Sequence, residues 1–140
     1  MQKRKVLVIT HGHFGAELIR SVEMIMGKQS CFQSLGLNPG DSVDSLREQA
    51  YEILEKNEAA GYESIILCDL LGGSPSNIAL ACLRKGSYPI VMGVSMPLLI
   101  ELIQNIEDDV ATKNLLEQAI EIGKAGTSLI MLPKGAPDLS

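Results

Sequence analysis

The chain has 140 residues, of which 46% are apolar and 21% charged, and its formal net charge is -5. A chain of this length closes one hydrophobic core without metal or disulfide support, so we expect a single domain spanning residues 1–140. It has no long cluster of Lys and Arg and no Trp, which argues against binding to nucleic acid. The three cysteines lack a CxxC spacing, which argues against a disulfide framework and a zinc site.

The sequence also carries no targeting or membrane signal. Its first residues lack the architecture of a secretory signal, and no apolar run approaches the ~20 residues that span a bilayer. We therefore expect a soluble, cytoplasmic protein.

Short apolar runs alternate with helical patterns along the chain. The runs over 5–10, 64–70 and 88–93 are uninterrupted, which is typical of strands covered on both faces. A weaker alternation over 30–37 and the run TSLIML over 127–132 predict two further strands. Helices are predicted between the strands over 16–27, 42–61, 78–84, 94–105 and 110–123, and Asp41 or Ser42 is expected to cap the second.

This alternation predicts an α/β fold, with a doubly wound and mainly parallel central sheet flanked by helices. In such a sheet the working residues gather in the crevice at the carboxyl ends of the strands. Three loops with unusual composition follow strands there: THGHFG, DLLGGSPSN and GVSMP. Because the first strand of such a sheet is usually central, the first two of these loops are expected to be neighbours.

Both histidines lie in the first of these loops. His11 comes directly after the strand, and Gly12 leaves its imidazole open to an approaching backbone. Two interpretations of His11 stand at this point, a side chain satisfied by a backbone carbonyl and a functional group facing the crevice, whereas His13 is interpreted as a solvated loop side chain. A metal held by this pair would need a third ligand, and the chain has no other histidine, so no metal site is predicted.

The second loop offers a carboxylate. Asp69 ends a strongly apolar strand, where a carboxylate without a hydrogen-bond donor would be costly. An imidazole N–H of His11 on the neighbouring strand is a natural donor. This pairing would fix the tautomer of the ring and direct its other nitrogen outward.

The same loop continues into a site for an anion. Gly72 and Gly73 permit a tight turn with exposed amides, Ser74 stands at a plausible N-cap, and Pro75 follows at the first helical position. Amides that converge at a helix N-terminus bind anions without help from Arg or Lys. The simpler interpretation is a well-capped helix after a strand, and the neighbouring carboxylate and histidine favour the anion site.

Other chemistries fit the residues less well. A hydrolase nucleophile needs G-x-S-x-G, but Ser76 stands where the second glycine should be, and no histidine occurs late in the chain. The glycine patterns of nucleotide and dinucleotide sites are absent. A nucleophilic histidine, a carboxylate and a phosphate-sized anion site remain, which together predict phosphoryl transfer without a cofactor.

These residues resemble the IIA components of the mannose-type (mannose, fructose, sorbose) phosphoenolpyruvate-dependent sugar phosphotransferase system. The resemblance rests on THG after the first strand, on DLLGGSPSN, and on GVSMPLL after the fourth strand. It extends from Val6 to about Leu132, with the predicted elements in the same order. Joined at this separation, the motifs are specific.

The resemblance implies a phosphotransferase with a phosphohistidine intermediate. His11 would accept a phosphoryl group from the histidine-containing phosphocarrier protein and pass it to a IIB component, while IIC and IID membrane subunits carry the sugar. Asp69 would orient the histidine, and Gly72, Gly73 and Ser74 would hold the phosphoryl oxygens. The candidates for the rim of the site are Thr10, Gly12, His13, Ser95 and Met96.

The resemblance also bears on assembly and on alternatives. Well-known members of the family are dimers that exchange a C-terminal strand, here TSLIML, which predicts a homodimer with an exchanged and antiparallel last strand. The chain departs from the usual pattern at Leu71 and Ser76, where aromatic residues are common, and at Ser95, where Asn is frequent. No IIB-like segment follows, so a stand-alone IIA protein is expected. A phosphoryl donor for a dihydroxyacetone kinase and a regulatory protein that binds according to its phosphorylation state remain alternatives.

Overall fold

A computed structural model describes residues 3–135 and 137–138, so the outermost residues of the predicted domain lie outside the described part. Its sheet has four strands in the order β2-β1-β3-β4, and every neighbouring pair is parallel. The strands are β1 (Arg4–His11), β2 (Phe32–Leu37), β3 (Glu63–Cys68) and β4 (Ile90–Met92). The parallel sheet and the central place of β1 confirm the prediction.

Helices cover both faces of this sheet. They are α1 (Phe14–Met26), α2 (Val43–Ala59), α3 (Ser74–Ala81) with one following 3₁₀ turn (Cys82–Arg84), α4 (Met96–Asn105) and α5 (Thr112–Ala125). The buried side chains of α1, α4 and α5 share one core with one face of the sheet, and those of α2 and α3 share a second core with the other face. No helix in the described part of the chain is long and apolar enough to cross a membrane.

The alternation of side chains along β1 explains why both faces need cover. Val6 and Val8 pack with α1, α4 and α5, whereas Leu7 and Ile9 pack with α2 and α3. All four are fully buried, because successive side chains of a strand point to opposite faces. A continuous apolar run is therefore the expected sequence for a central parallel strand.

A serine hydroxyl caps the start of α2. Ser42 accepts a hydrogen bond from the amide of Ser45 at the start of α2, so the predicted cap is Ser42 rather than Asp41. The carboxylate of Asp41 instead accepts from the amide of Asn38 and closes the preceding turn.

The predicted last strand over 127–132 does not form within the single chain. The segment has no regular structure, and its apolar side chains are exposed, including Ile130 at 90%. A strand needs a hydrogen-bonded neighbour, and the segment leaves the end of α5 without reaching an edge of the sheet in its own chain.

Candidate active site

The order of the strands forms the crevice in which the site lies. β1 is followed by α1 on one face of the sheet, and its neighbour β3 is followed by α3 on the opposite face. The two connections therefore diverge at the carboxyl ends of adjacent strands, which is where doubly wound sheets bind ligands. His11 is the last residue of β1, and Asp69 follows the last residue of β3.

The His11 ring is held by Asp69. The ring Nδ1 lies 2.8 Å from Oδ2 of the carboxylate, and the same oxygen accepts the backbone N–H of His11 at 2.9 Å. An ionised carboxylate only accepts hydrogen bonds, so Nδ1 carries the proton and the lone pair of the neutral ring resides on Nε2. The histidine side chain is 52% exposed and that of the aspartate 10%. The predicted pairing is present, and Nε2 is the nitrogen left free by it.

The carboxylate of Asp69 is stabilised in its ionised form. Burial by itself raises the pKa of this carboxyl, but hydrogen bonds from the amide and ring of His11 and from the amide of Leu70 outweigh it. The pKa consequently lies below its ordinary value. An ionised partner keeps the proton on Nδ1 and favours a positive charge developing on the ring.

Two glycines bring the start of α3 against the His11 ring. Gly72 has φ of +103°, a conformation that side chains rarely adopt. Gly73 has an ordinary φ of -104°, but a Cβ there would lie 2.8 Å from Cε1 and 3.0 Å from Nε2 of His11. The absence of a side chain at Gly73 is therefore what allows the backbone to border the free nitrogen.

The helix α3 begins at Ser74, four residues before the predicted range 78–84 and one residue before Pro75, the first helical position expected from a Ser74 cap. Gly73 is its N-cap and Ser74 its first residue, and no side chain caps it. The amide of Gly72 donates to Oγ of Ser76 at 3.0 Å, so this amide is engaged within the loop. As the N-cap and first residue of a helix, Gly73 and Ser74 present amides beyond the reach of the intrahelical hydrogen bonds.

The predicted rim residues occupy different places. Thr10 does not line the rim, because it is fully buried and its hydroxyl accepts from the amide of Gly15. His13 is exposed and precedes α1 without a side-chain cap. Ser95 is half-buried and caps α4 through the amide of Leu98, and half-buried Met96 follows it.

Gly12 and Gly36 form a contact that the sequence analysis missed. Gly12 has φ of +51° and donates its amide to the carbonyl of Leu37 at 2.8 Å. A Cβ at Gly36 would lie 2.0 Å from the carbonyl oxygen of Gly12. A glycine inside a predicted strand is the sequence signal for such a close approach of two backbones.

Exposed apolar side chains stand on the loops that carry the two site residues. Phe14 begins α1 and is 47% exposed, and Leu70 and Leu71 follow Asp69 at 52% and 67%. These three exposed apolar side chains lie close in the sequence to His11 and Asp69. The described residues contain no group of three or more metal-ligating side chains.

The fold and the site define a doubly wound α/β protein whose exposed histidine is oriented by a carboxylate. Residues 5–120 match the family model EIIA-man, described as the PTS system fructose IIA component. The chain belongs to this family of phosphotransferase-system IIA components, which confirms the resemblance drawn from the motifs.

Individual relatives agree with this membership. The mannose-specific EIIAB component of Escherichia coli K12 is 29% identical over 136 residues, which cover 94% of this chain and 42% of that protein. The fructose-specific EIIA component of Bacillus subtilis is 28% identical over 112 residues, or 79% of this chain and 75% of that one. The chain thus spans less than half of the Escherichia coli relative it matches.

A solved structure has the same fold. The PTS IIA protein associated with the fucose utilization operon of Streptococcus pneumoniae superposes with a TM-score of 0.72 at 30% identity. The match covers 86% of this chain and 90% of that one.

Proposed function

We propose that the protein carries a phosphoryl group on Nε2 of His11, taken from the histidine-containing phosphocarrier protein and delivered to a IIB component. The observation that carries this proposal is the hydrogen bond between Nδ1 and Asp69. It leaves Nε2 unprotonated on a half-exposed ring. A neutral imidazole so oriented is a nucleophile for phosphorus.

The transfer is a displacement at phosphorus. The lone pair of Nε2 forms the new N–P bond, and the bond between phosphorus and the donor imidazole breaks with its electron pair going to the donor. The ring of His11 then holds both the phosphoryl group and the Nδ1 proton, and the carboxylate of Asp69 balances its positive charge. Transfer onward repeats the displacement with a nucleophile of the IIB component.

Two features of the site suit the phosphoryl oxygens and the partners. The amides of Gly73 and Ser74 begin α3, where the helix dipole favours negative charge. The exposed side chains of Phe14, Leu70 and Leu71 offer an apolar contact for donor and acceptor proteins. Partners that must dissociate after each transfer suit a small contact of this kind.

Labelling with phosphoenolpyruvate, its kinase and the phosphocarrier protein tests the assignment. We expect an acid-labile, alkali-stable label on the wild type and none on His11→Ala. His13→Ala is the matched control, since it removes an imidazole two residues away, and it should be labelled. Equal labelling of His11→Ala and the wild type would contradict the proposal. Discharge to purified IIB rather than to a dihydroxyacetone kinase identifies the acceptor.

We also propose that the protein is a homodimer held by the segment 127–132. This segment exposes Leu129, Ile130 and Met131. β4 ends the sheet, so its outer edge has no strand partner in the described part of the chain. Beside it lies a groove of about 260 Å³ lined in part by Ile90 and Leu116. An apolar segment without a partner and an unpaired edge in the same chain favour mutual pairing between two copies.

A further inference from the structure

Ser76 is a buried hydroxyl beside the site for which the transfer chemistry has no direct use. It is the third residue of α3 and has no exposed surface. Its position is too deep for contact with a phosphoryl group or a partner protein. Its hydrogen bonds lie instead with the loop between Asp69 and α3.

The hydroxyl forms a hydrogen bond with each of the two glycines of that loop. Oγ accepts the amide N–H of Gly72 at 3.0 Å and donates to the carbonyl of Gly73 at 2.8 Å. Gly72 is in the left-handed region, where glycine has the largest conformational freedom to lose. The carbonyl of Gly73 also accepts the amide N–H of Asn77 at 3.1 Å, but the Ser76 hydroxyl is the group that joins the Gly72 amide to it.

The segment held in this way is the one that borders the nucleophile, because a Cβ on Gly73 would overlap the His11 ring. The Cβ position of Gly73 lies 3.0 Å from Nε2 and 2.8 Å from Cε1 of His11. A displacement of Gly73 toward the ring would cover Nε2, and a displacement away from it would remove the amides of Gly73 and Ser74 from the phosphoryl oxygens. The geometry of a transfer step tolerates little error, because a shift of about 1 Å can cost ~100-fold in rate.

We infer that Ser76 is a positioning residue for phosphoryl transfer, which acts by holding the Gly72–Gly73 segment against the His11 imidazole. The inference rests on the proposed function of His11. It differs from a role in capping α3, since a cap affects the free energy of unfolding and leaves the chemistry of a folded histidine unchanged.

Two variants separate these roles. Ser76→Ala removes the hydroxyl at the site. Ser64→Ala is the matched control, because Ser64 is also a buried serine whose Oγ accepts a hydrogen bond, from Asn57, but it lies near the opposite end of β3. Both changes lose one buried hydrogen-bonding group, and only one of them touches the loop.

Phosphoramidate is the phosphoryl donor for the test, because it reacts with histidine without a docked protein. Nε2 forms the N–P bond, and the P–N bond of phosphoramidate breaks as ammonia leaves. For Ser76→Ala we expect at least a tenfold lower rate of His11 phosphorylation and at least tenfold faster hydrogen exchange of the Gly72 amide. Ser64→Ala should react within twofold of the wild type, even if its melting temperature falls as much as that of Ser76→Ala.

Three results would overturn the inference. The first is a Ser76→Ala rate within twofold of the wild type. The second is an equal loss of rate in both variants. The third applies if Ser76→Ala does not fold: the thiol of Ser76→Cys keeps the size but bonds more weakly, and a wild-type rate together with faster hydrogen exchange of the Gly72 amide would show that holding the loop does not matter for transfer. Failure of the wild type to react at His11 would instead refute the proposed function. In that case the ¹⁵N resonance of Nε2, compared between the wild type and Ser76→Ala, would show whether the substitution moves the ring.

Discussion

At the scale of single residues, Gly73 shows how the absence of a side chain serves a site. Its backbone conformation is open to any residue. A glycine is therefore required at this position because there is no room for a Cβ, and not because of its backbone dihedral angles. The space is occupied by the His11 ring, whose Cε1 would lie 2.8 Å from a Cβ. Gly72, one residue earlier, is required for the opposite reason, because its φ is +103° and nothing lies within 4 Å of its Cβ position.

Gly73→Ala is therefore expected to impair transfer more than folding. The ring is the flexible end of a half-exposed side chain, so it would turn away and lose its hydrogen bond to Asp69. We expect at least a tenfold lower phosphorylation rate, together with roughly 1 kcal/mol of lost stability for the broken hydrogen bond. Phosphorylation kinetics and denaturant unfolding measure the two effects. A wild-type rate would show that the ring does not need this space.

Asp69→Asn tests the charge of the orienting group. The side-chain amide oxygen introduced by this change would still accept hydrogen bonds, but it would not balance the positive charge of a phosphorylated ring. We expect a folded protein whose phosphorylation is slower by about 100-fold or more. Pre-steady-state labelling with the phosphocarrier protein measures this. Full activity would show that the carboxylate is not the orienting partner.

The same residue affects the dependence of stability on pH. The pKa of Asp69 is lower in the folded protein than its ordinary value of 3.8. Its contribution is thus complete above the unfolded pKa and is lost as pH falls through the folded pKa. Between about pH 5 and pH 2 the free energy of unfolding should fall less steeply for Asp69→Asn than for the wild type. Parallel curves from urea titrations across that range would contradict this expectation.

At the scale of elements, a buried arginine fastens the connection between α4 and α5 to the start of the sheet. Arg4 is the first residue of β1 and is 4% exposed. Its guanidinium donates to the carbonyls of Ile106, Asp108 and Val110 at 2.6–3.0 Å. It also donates to the hydroxyl of Thr112. One side chain thereby pairs three carbonyls of this connection.

Arg4→Met should reduce stability and leave the chemistry intact. The substitution keeps apolar volume but leaves one buried carbonyl, of Ile106, and two part-buried carbonyls without the guanidinium donor, which costs about 2–4 kcal/mol in total. Transfer should persist in the folded fraction, because His11 lies at the other end of β1, seven residues or ~23 Å away. Arg20→Met, which removes an exposed ion pair with Glu17, is the control and should change stability by less than ~0.5 kcal/mol. Urea unfolding distinguishes the two variants.

At the scale of the whole molecule, two surfaces of the described part of the chain lack a partner. One is the outer edge of β4, and the other is the apolar segment 127–132. Exposed edges and apolar segments promote association. In the proposed homodimer each surface would cover the other in the partner copy.

Ile130→Asp is expected to weaken this association. Ile130 is 90% exposed in the single chain, so the change does not affect the monomer core, but it places a charge in the proposed contact. Sedimentation should show the wild type at twice the mass of one chain and the variant shifted toward the monomer. Met24→Asp, at an 88% exposed position on α1, should remain dimeric. A monomeric wild type, or a dimeric Ile130→Asp, would refute the proposal.

Much of the fold and site could be predicted from the sequence, because the relevant signals are local. Buried parallel strands must be apolar on both faces, so 5–10 and 64–70 were recognisable as the central strands. A histidine and an aspartate directly after such strands are brought to one edge by the sheet itself. Their pairing therefore followed from chain order and from the cost of a carboxylate without a donor.

Only the tertiary structure determined which residues that are distant in the sequence lie in contact, and which side chains are buried. Whether Gly73 touches the His11 ring, whether Gly36 faces the carbonyl of Gly12, and that Thr10 is buried rather than on the rim depend on packing. The segment 127–132 has the composition of a strand, but composition does not supply the hydrogen-bonded neighbour that a strand requires. The sequence by itself thus predicted the pairing of His11 with Asp69, because both residues end adjacent buried strands, and the packing of β1 against β3 and α3 determined which nitrogen of His11 that pairing leaves free.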